Sequence, residues 1–178
     1  MVKIAVIGTA GRQGVKLTLD DYNKMYERLK EYLLQFNKNE IELISGGAAW
    51  SDHLAVRAYL DMIVTKLTLY LPCEWDYEKN RYCEVINDGK MSNIYHDNFR
   101  KETGIDAPDQ ITQAILSGAT IDESSMGCLN RNNKVANNCD KMIAFTMSNT
   151  DAPPKGGTQY TWNRAKTKDK LHVSIGSL

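Results

Sequence analysis

Lys3-Ile4-Ala5-Val6-Ile7-Gly8-Thr9-Ala10-Gly11-Arg12 is the stretch on which the fold turns. Its first half is a continuous apolar run, the pattern of a strand buried on both faces, as in parallel sheets. Its second half stops that strand with two glycines and a planar cation. Glycine lets the backbone approach a ligand, turn amides face an anion, and arginine offers a fork that matches phosphate. The same grammar recurs downstream. Tyr22, Met25, Tyr26, Leu29, Leu33 and Phe36 repeat at three and four, predicting a helix opened by Leu19-Asp20-Asp21. A second strand at Ile41 to Ser45 ends in Gly46-Gly47, and Ser51-Asp52 supplies an N-cap for a helix through Leu54, Ala55, Ala58, Tyr59 and Met62. A third strand runs from Lys66 to Leu71. Met142 to Thr146 is a fourth strand, Thr158 to Lys168 a helix and Leu171 to Ile175 a fifth strand.

Strands alternating with helices imply right-handed crossovers. The expected architecture is an α/β Rossmann-like three-layer sandwich. Its mostly parallel five-stranded sheet has order 3-2-1-4-5, with ligands expected at the carboxyl ends of the strands. The whole chain, 1–178, reads as a single domain. Between Glu74 and Ser125 the alternation fails. This polar segment, 74–125, reads as a helical insertion after strand three, with helices around Tyr77–Ile86 and Pro108–Leu116, acting as a lid or an oligomer contact.

Composition narrows the function. Twenty-two Lys+Arg balance 22 Asp+Glu, 42% of residues are hydrophobic and 25% charged, which fits a globular protein and excludes a disordered one. Zero net charge argues against a protein that holds nucleic acid through bulk electrostatics. No apolar run approaches the roughly 20 residues a membrane helix needs. Cys73, Cys83, Cys128 and Cys139 show no C-x-x-C spacing, so reduced thiols, a cytoplasmic location and no metal site are expected.

Three turns would share one edge of the sheet. The first holds Gly8, Thr9 and Arg12. The second, Ser45 to Asp52, holds Gly46 and Gly47; its Asp52 either caps its helix or meets a ribose hydroxyl, and its Trp50 either stacks a base or covers a helix. The third, Pro153-Pro154-Lys155-Gly156-Gly157-Thr158, opens a helix with backbone amides, a hydroxyl and a cation, without being a Walker A loop. Arg131-Asn132 begin the helix before strand four and are placed to reach the same crevice. Glu74 and Asp76 follow strand three and are the carboxylates available as a general base.

The set Gly8-Thr9-Ala10-Gly11-Arg12, Gly46-Gly47-Ala48-Ala49-Trp50-Ser51-Asp52-His53-Leu54-Ala55, Trp75, Arg131-Asn132, Asp140 to Phe145 and Gly157-Thr158 resembles the SLOG superfamily. That Rossmann-like group includes Smf/DprA proteins, LOG phosphoribohydrolases and the YpsA/YspA-related families, and the pattern is most similar to the YspA type. The resemblance implies a nucleotide or nucleotide-derived ligand at the strand ends. It carries Gly8, Thr9 and Arg12 over to the first turn and Gly46, Gly47 and Asp52 to the second, with Arg131 and Asn132 reaching in from the side and Gly157 and Thr158 on a phosphate. It also implies a homodimer or higher homo-oligomer, for which the Tyr22–Phe36 stripe is a candidate if it does not simply cover the sheet. Two positions depart from the pattern. Trp50 stands where the family's G-G-A-x-G has its last glycine. Gly156-Gly157-Thr158-Gln159-Tyr160-Thr161 lacks the glutamate of the LOG signature. The expected function is therefore nucleotide binding, without a cofactor. The alternative is an N-glycosidase or phosphoribohydrolase acting on nucleoside monophosphates, with Glu74 or Asp76 replacing that acid. A DprA-like single-strand binder lacks the necessary basic and aromatic stripe.

Overall fold

The structure is a computed structural model that describes residues 1–12, 14 and 16–178. Its elements are β1 (Val2–Gly8), α1 (Leu19–Leu33), β2 (Ile41–Ser45), α2 (His53–Leu60), β3 (Leu67–Tyr70), β4 (Trp75–Asp76), β5 (Arg81–Tyr82), α3 (Asn87–Thr103), α4 (Ala107–Leu116), β6 (Thr120–Asp122), α5 (Cys128–Asn137), β7 (Lys141–Thr146), α6 (Gly157–Arg164) and β8 (Lys170–Ser174). The central sheet has order β6-β3-β2-β1-β7-β8 and every pairing in it is parallel. The five expected strands keep their order, 3-2-1-4-5. The sixth, β6, extends the sheet beyond β3.

Alternation along β1 shows why the sheet is covered on both sides. Ile4 and Val6 join a core with Tyr22, Met25, Leu29, Leu54 and Phe99, while Ala5 and Ile7 join a smaller one with Val135, Ala136, Met142 and Ala165. One layer is thus α1, α2, α3 and α4, and the other is α5 and α6. The apolar stripe of α1 is spent in the first core, since Tyr22, Met25, Tyr26, Leu29 and Leu33 are all buried within one chain. It is the sheet's cover and is not free to join two copies. Thr18 closes the start of α1 with a reciprocal capping box to Asp21.

The segment 74–125 differs from the expectation in part. Ala107–Leu116 is helical, opened by Asp106 accepting from the Asp109 amide with Pro108 in the first turn. Tyr77–Ile86 is not a helix. It contains the turn and second strand of an antiparallel ribbon, in which Trp75 faces Tyr82 and Asn80 takes a φ of 50°. The aromatic pair at 4.8 Å rewards that geometry, and the Asp76 carboxylate ties the turn by accepting from the Glu78 and Lys79 amides. α3 then lays Asn93, His96 and Phe99 into the first core. The segment thus packs as a structural wall against the first core. Among the described residues no helix is long and apolar enough to cross a membrane.

Candidate functional site

Strands β1, β2 and β7 end at one edge, and the loops that follow them enclose a cavity of about 240 Å³. Gly8, Thr9, Arg12, Gly46, Asp52, Arg131, Asn132, Gly156, Gly157 and Thr158 all line it. The crevice therefore gathers residues from three turns and the side of α5, at the switch point between β1 and β7.

The first turn is held tightly. The Thr9 amide donates to the Phe145 carbonyl at 2.9 Å, and the Thr9 hydroxyl accepts from the Gly11 amide at 3.2 Å. Gly8 has φ 153°, and a Cβ there would lie 2.1 Å from the Phe145 carbonyl oxygen. Only glycine fits.

The second turn is organised by a buried ion pair. Asp52 stands at the N-cap of α2 but makes no capping bond. Its Oδ2 accepts from the Gly46 amide at 3.1 Å and lies 3.5 Å from Nη1 of Arg131. The same guanidinium donates to the Gly46 carbonyl. A Cβ on Gly46 would meet Nη1 at 2.0 Å, so glycine makes room for the arginine. Burial pushes the Asp52 carboxyl up from its ordinary value, opposed by Arg131 and by the Ala48 and Gly46 amides. Arg131 is thus engaged in holding this turn, and Asp52 is its counter-charge; neither reading of Asp52 as a cap nor as a free ribose ligand describes that arrangement.

Gly47 and Trp50 point to structure instead. Gly47 is absent from the crevice wall; its carbonyl accepts from the Tyr82 hydroxyl at 2.7 Å and meets the His96 ring at 3.1 Å. Trp50 adopts φ 62°, the left-handed region where glycine is at ease. Here the strain is offset by packing: the indole is 3% exposed and meets Phe99 edge-on at 4.9 Å. It covers α3 and does not face the crevice.

The third turn is the open one. Gly156 takes φ 150° and no side chain caps α6. The positive helix end and its free amides therefore face the cavity. A Cβ on Gly157 would lie 3.5 Å from Nδ2 of Asn132 and 3.9 Å from Nη2 of Arg12, so both side chains converge on this helix start. The Thr158 hydroxyl donates to the Gly8 carbonyl at 2.8 Å and so clamps α6 to the end of β1. Arg12 and Lys155 are exposed and make no ion pair among the described residues.

Glu74 and Asp76 lie outside the crevice. Asp76 pairs with Lys79 at 2.9 Å within its own ribbon turn, and Glu74 is exposed. Asp52 is the one carboxylate among the described lining residues. The wall also contains Cys128, Thr146, Met147 and Thr161, which the sequence reading passed over. Thr146 and Thr161 had a signal, since one ends strand four and the other sits one helical turn beyond Gly157. Burial pushes the Cys128 thiol up from its ordinary value, which favours its protonated form. No cluster of three or more metal-ligating side chains occurs among the described residues.

Fold and site together define an α/β, Rossmann-like protein with a crevice at the carboxyl ends of its parallel strands. No protein-family model matches the chain. It is 33% identical over 180 residues to "Uncharacterized protein R261" of Acanthamoeba polyphaga mimivirus, covering 98% of this chain and 96% of that protein. The chain belongs to the same family as this mimivirus protein. Among solved structures, DNA processing protein A (DprA) from Streptococcus pneumoniae gives a TM-score of 0.35 at 16% identity, over 99% of this chain and 59% of that one, too slight a likeness to carry an argument.

Proposed function

We propose that the protein binds a nucleotide or nucleotide-derived small ligand in the crevice between Gly8, Gly46 and Gly157. The observation that carries this reading is the uncapped start of α6, on which Arg12 and Asn132 converge from two other elements. A phosphate there accepts from the Gly157 and Thr158 amides, with Arg12 and Lys155 supplying charge. The amide of Asn132 offers both a donor and an acceptor to a ribose or base. Asp52 and Arg131 hold the Gly46 turn as a rigid floor. The SLOG resemblance supports the same ligand class.

The hydrolase alternative needs an acid beside the ligand. Its candidates, Glu74 and Asp76, are off the crevice wall, and Asp52 is bound to Arg131 and Gly46. Recognition is thus the better-supported activity.

Equilibrium titration with nucleoside mono- and diphosphates, cyclic nucleotides, NAD and ADP-ribose tests it. At least one should bind, and Arg12→Ala should weaken that binding tenfold or more. Folded protein that binds none of them ends the proposal.

A further inference from the structure

A second cavity, of about 440 Å³, lies across the first turn from the crevice, and Arg12 lines both. Its far wall is α3, from the segment the sequence reading could assign only as a lid or contact. The helix presents two distinct stripes. Gly89, Asn93, His96, Phe99 and Thr103 are buried and account for its packing. Met91, Tyr95, Asn98 and Glu102 recur at four, three and four, so they form another face, and all of them line this cavity. That face combines an aromatic ring, an amide and a carboxylate, the groups that stack on a flat ring and bond to hydroxyls. Tyr95 also packs at the edge of the first core, whereas Asn98 and Glu102 are exposed and the core does not require them. The wall is also fixed: Trp50 packs on Phe99 of α3, and a Cβ on Gly11 would sit 2.3 Å from the indole nitrogen. The first turn, Trp50 and α3 therefore form one continuous packed unit beside the crevice.

We propose that the two cavities are halves of one site, and that the ligand is a nucleotide whose phosphate is linked onward to a second ring. This deepens, and rests on, the nucleotide-binding reading. The phosphates lie at Arg12 and the start of α6, where the two cavities meet. One nucleoside occupies the crevice. The second ring, a sugar or another nucleoside, crosses the Arg12 turn and lies against Tyr95, with Asn98 and Glu102 bonding to its hydroxyls. The segment 74–125 then has a direct part in recognition. A nucleoside monophosphate fills only the crevice and forgoes these contacts, so it binds more weakly.

Parallel titrations with AMP, ADP, ADP-ribose and NAD test this. ADP-ribose or NAD should bind at least tenfold more tightly than AMP and ADP. Tyr95→Ala and Asn98→Ala should each erode that advantage several-fold more than they weaken AMP; Asn98 is exposed, so its removal leaves the core intact. AMP binding as tightly as the two-ring ligands, or both variants weakening every ligand equally, overturns the two-cavity site while leaving the crevice reading standing. Absence of binding by all four to folded protein overturns both.

Discussion

Gly157 is the residue where binding and folding separate most cleanly. Its prospective Cβ meets nothing closer than 3.5 Å, and it sits in ordinary helical space at the first position of α6. Gly157→Ala should therefore fold normally, with stability unchanged or raised by up to about 1 kcal/mol. The new methyl would project toward Asn132 and Arg12, into the expected phosphate position, and ligand affinity should fall tenfold or more. Thermal melts and titration of the same variant read the two effects independently; unchanged affinity would remove the phosphate from this turn. Asp52 behaves oppositely. Asp52→Ala leaves the Arg131 guanidinium buried without its counter-charge, a change that costs about 3–5 kcal/mol. Urea unfolding should show that loss, whereas a residue that only touched ligand would leave the midpoint unmoved. At this scale the sequence was half legible. Glycines at strand ends announce a close approach, so Gly8, Gly46 and Gly156 could be picked out. What each glycine approaches depends on residues far along the chain. Gly46 yields to Arg131 and Gly47 to Tyr82, and no local pattern distinguishes the two.

α2 and α3 carry the protein's acid sensitivity. Burial lowers His53 from 6.5 to about 3 and His96 to about 4. Both rings are therefore neutral when folded, while the unfolded chain binds protons on them below about pH 6.5. Their contribution is complete above that pH and is lost as pH falls toward 4. Two rings displaced by about 1.5 units between their unfolded value and pH 5 amount to roughly 4 kcal/mol. Asp52, whose folded value is raised, opposes part of this, so the net loss between pH 7 and 5 is smaller than the two rings alone would give. Denaturant midpoints at the two pH values measure it, and equal midpoints would show that the rings are not buried as described. Element legibility tracked burial. The inner strands β1, β2, β3 and β7 are largely buried, and together with the edge strand β8 they were read in their correct order. β6 is an edge strand of three residues, Thr120–Asp122, with no buried residue in it, and it leaves no such signature. The ribbon of β4 and β5 is two residues on each side, and its Trp75–Tyr82 pairing is a cross-strand contact that periodicity cannot reveal.

For the molecule as a whole, zero net charge coexists with an uneven layout. Among the described residues Arg12 and Lys155 make no ion pair at the crevice, while Arg131 is paired with Asp52. On the proposed reading, one small anion is met there by one or two cations. Ligand affinity should fall only modestly with salt, with a log–log slope of about −1 to −2, and single-stranded DNA should not compete at physiological ionic strength. A steep slope with retention of DNA would replace the small-molecule account with a backbone-binding one. The same arithmetic explains why the segment 74–125 resisted sequence reading: its packing role and its Met91–Glu102 face are interleaved on one helix, visible only when α3 is placed against Trp50. The most direct measurement of the central claim is an amide chemical-shift map of the protein titrated in turn with AMP, ADP and ADP-ribose. The expected result is a set of saturable shifts at Gly8, Thr9, Gly46, Gly157 and Thr158. Absence of shifts at those amides with all three ligands, or saturable shifts only on a different surface, would contradict it.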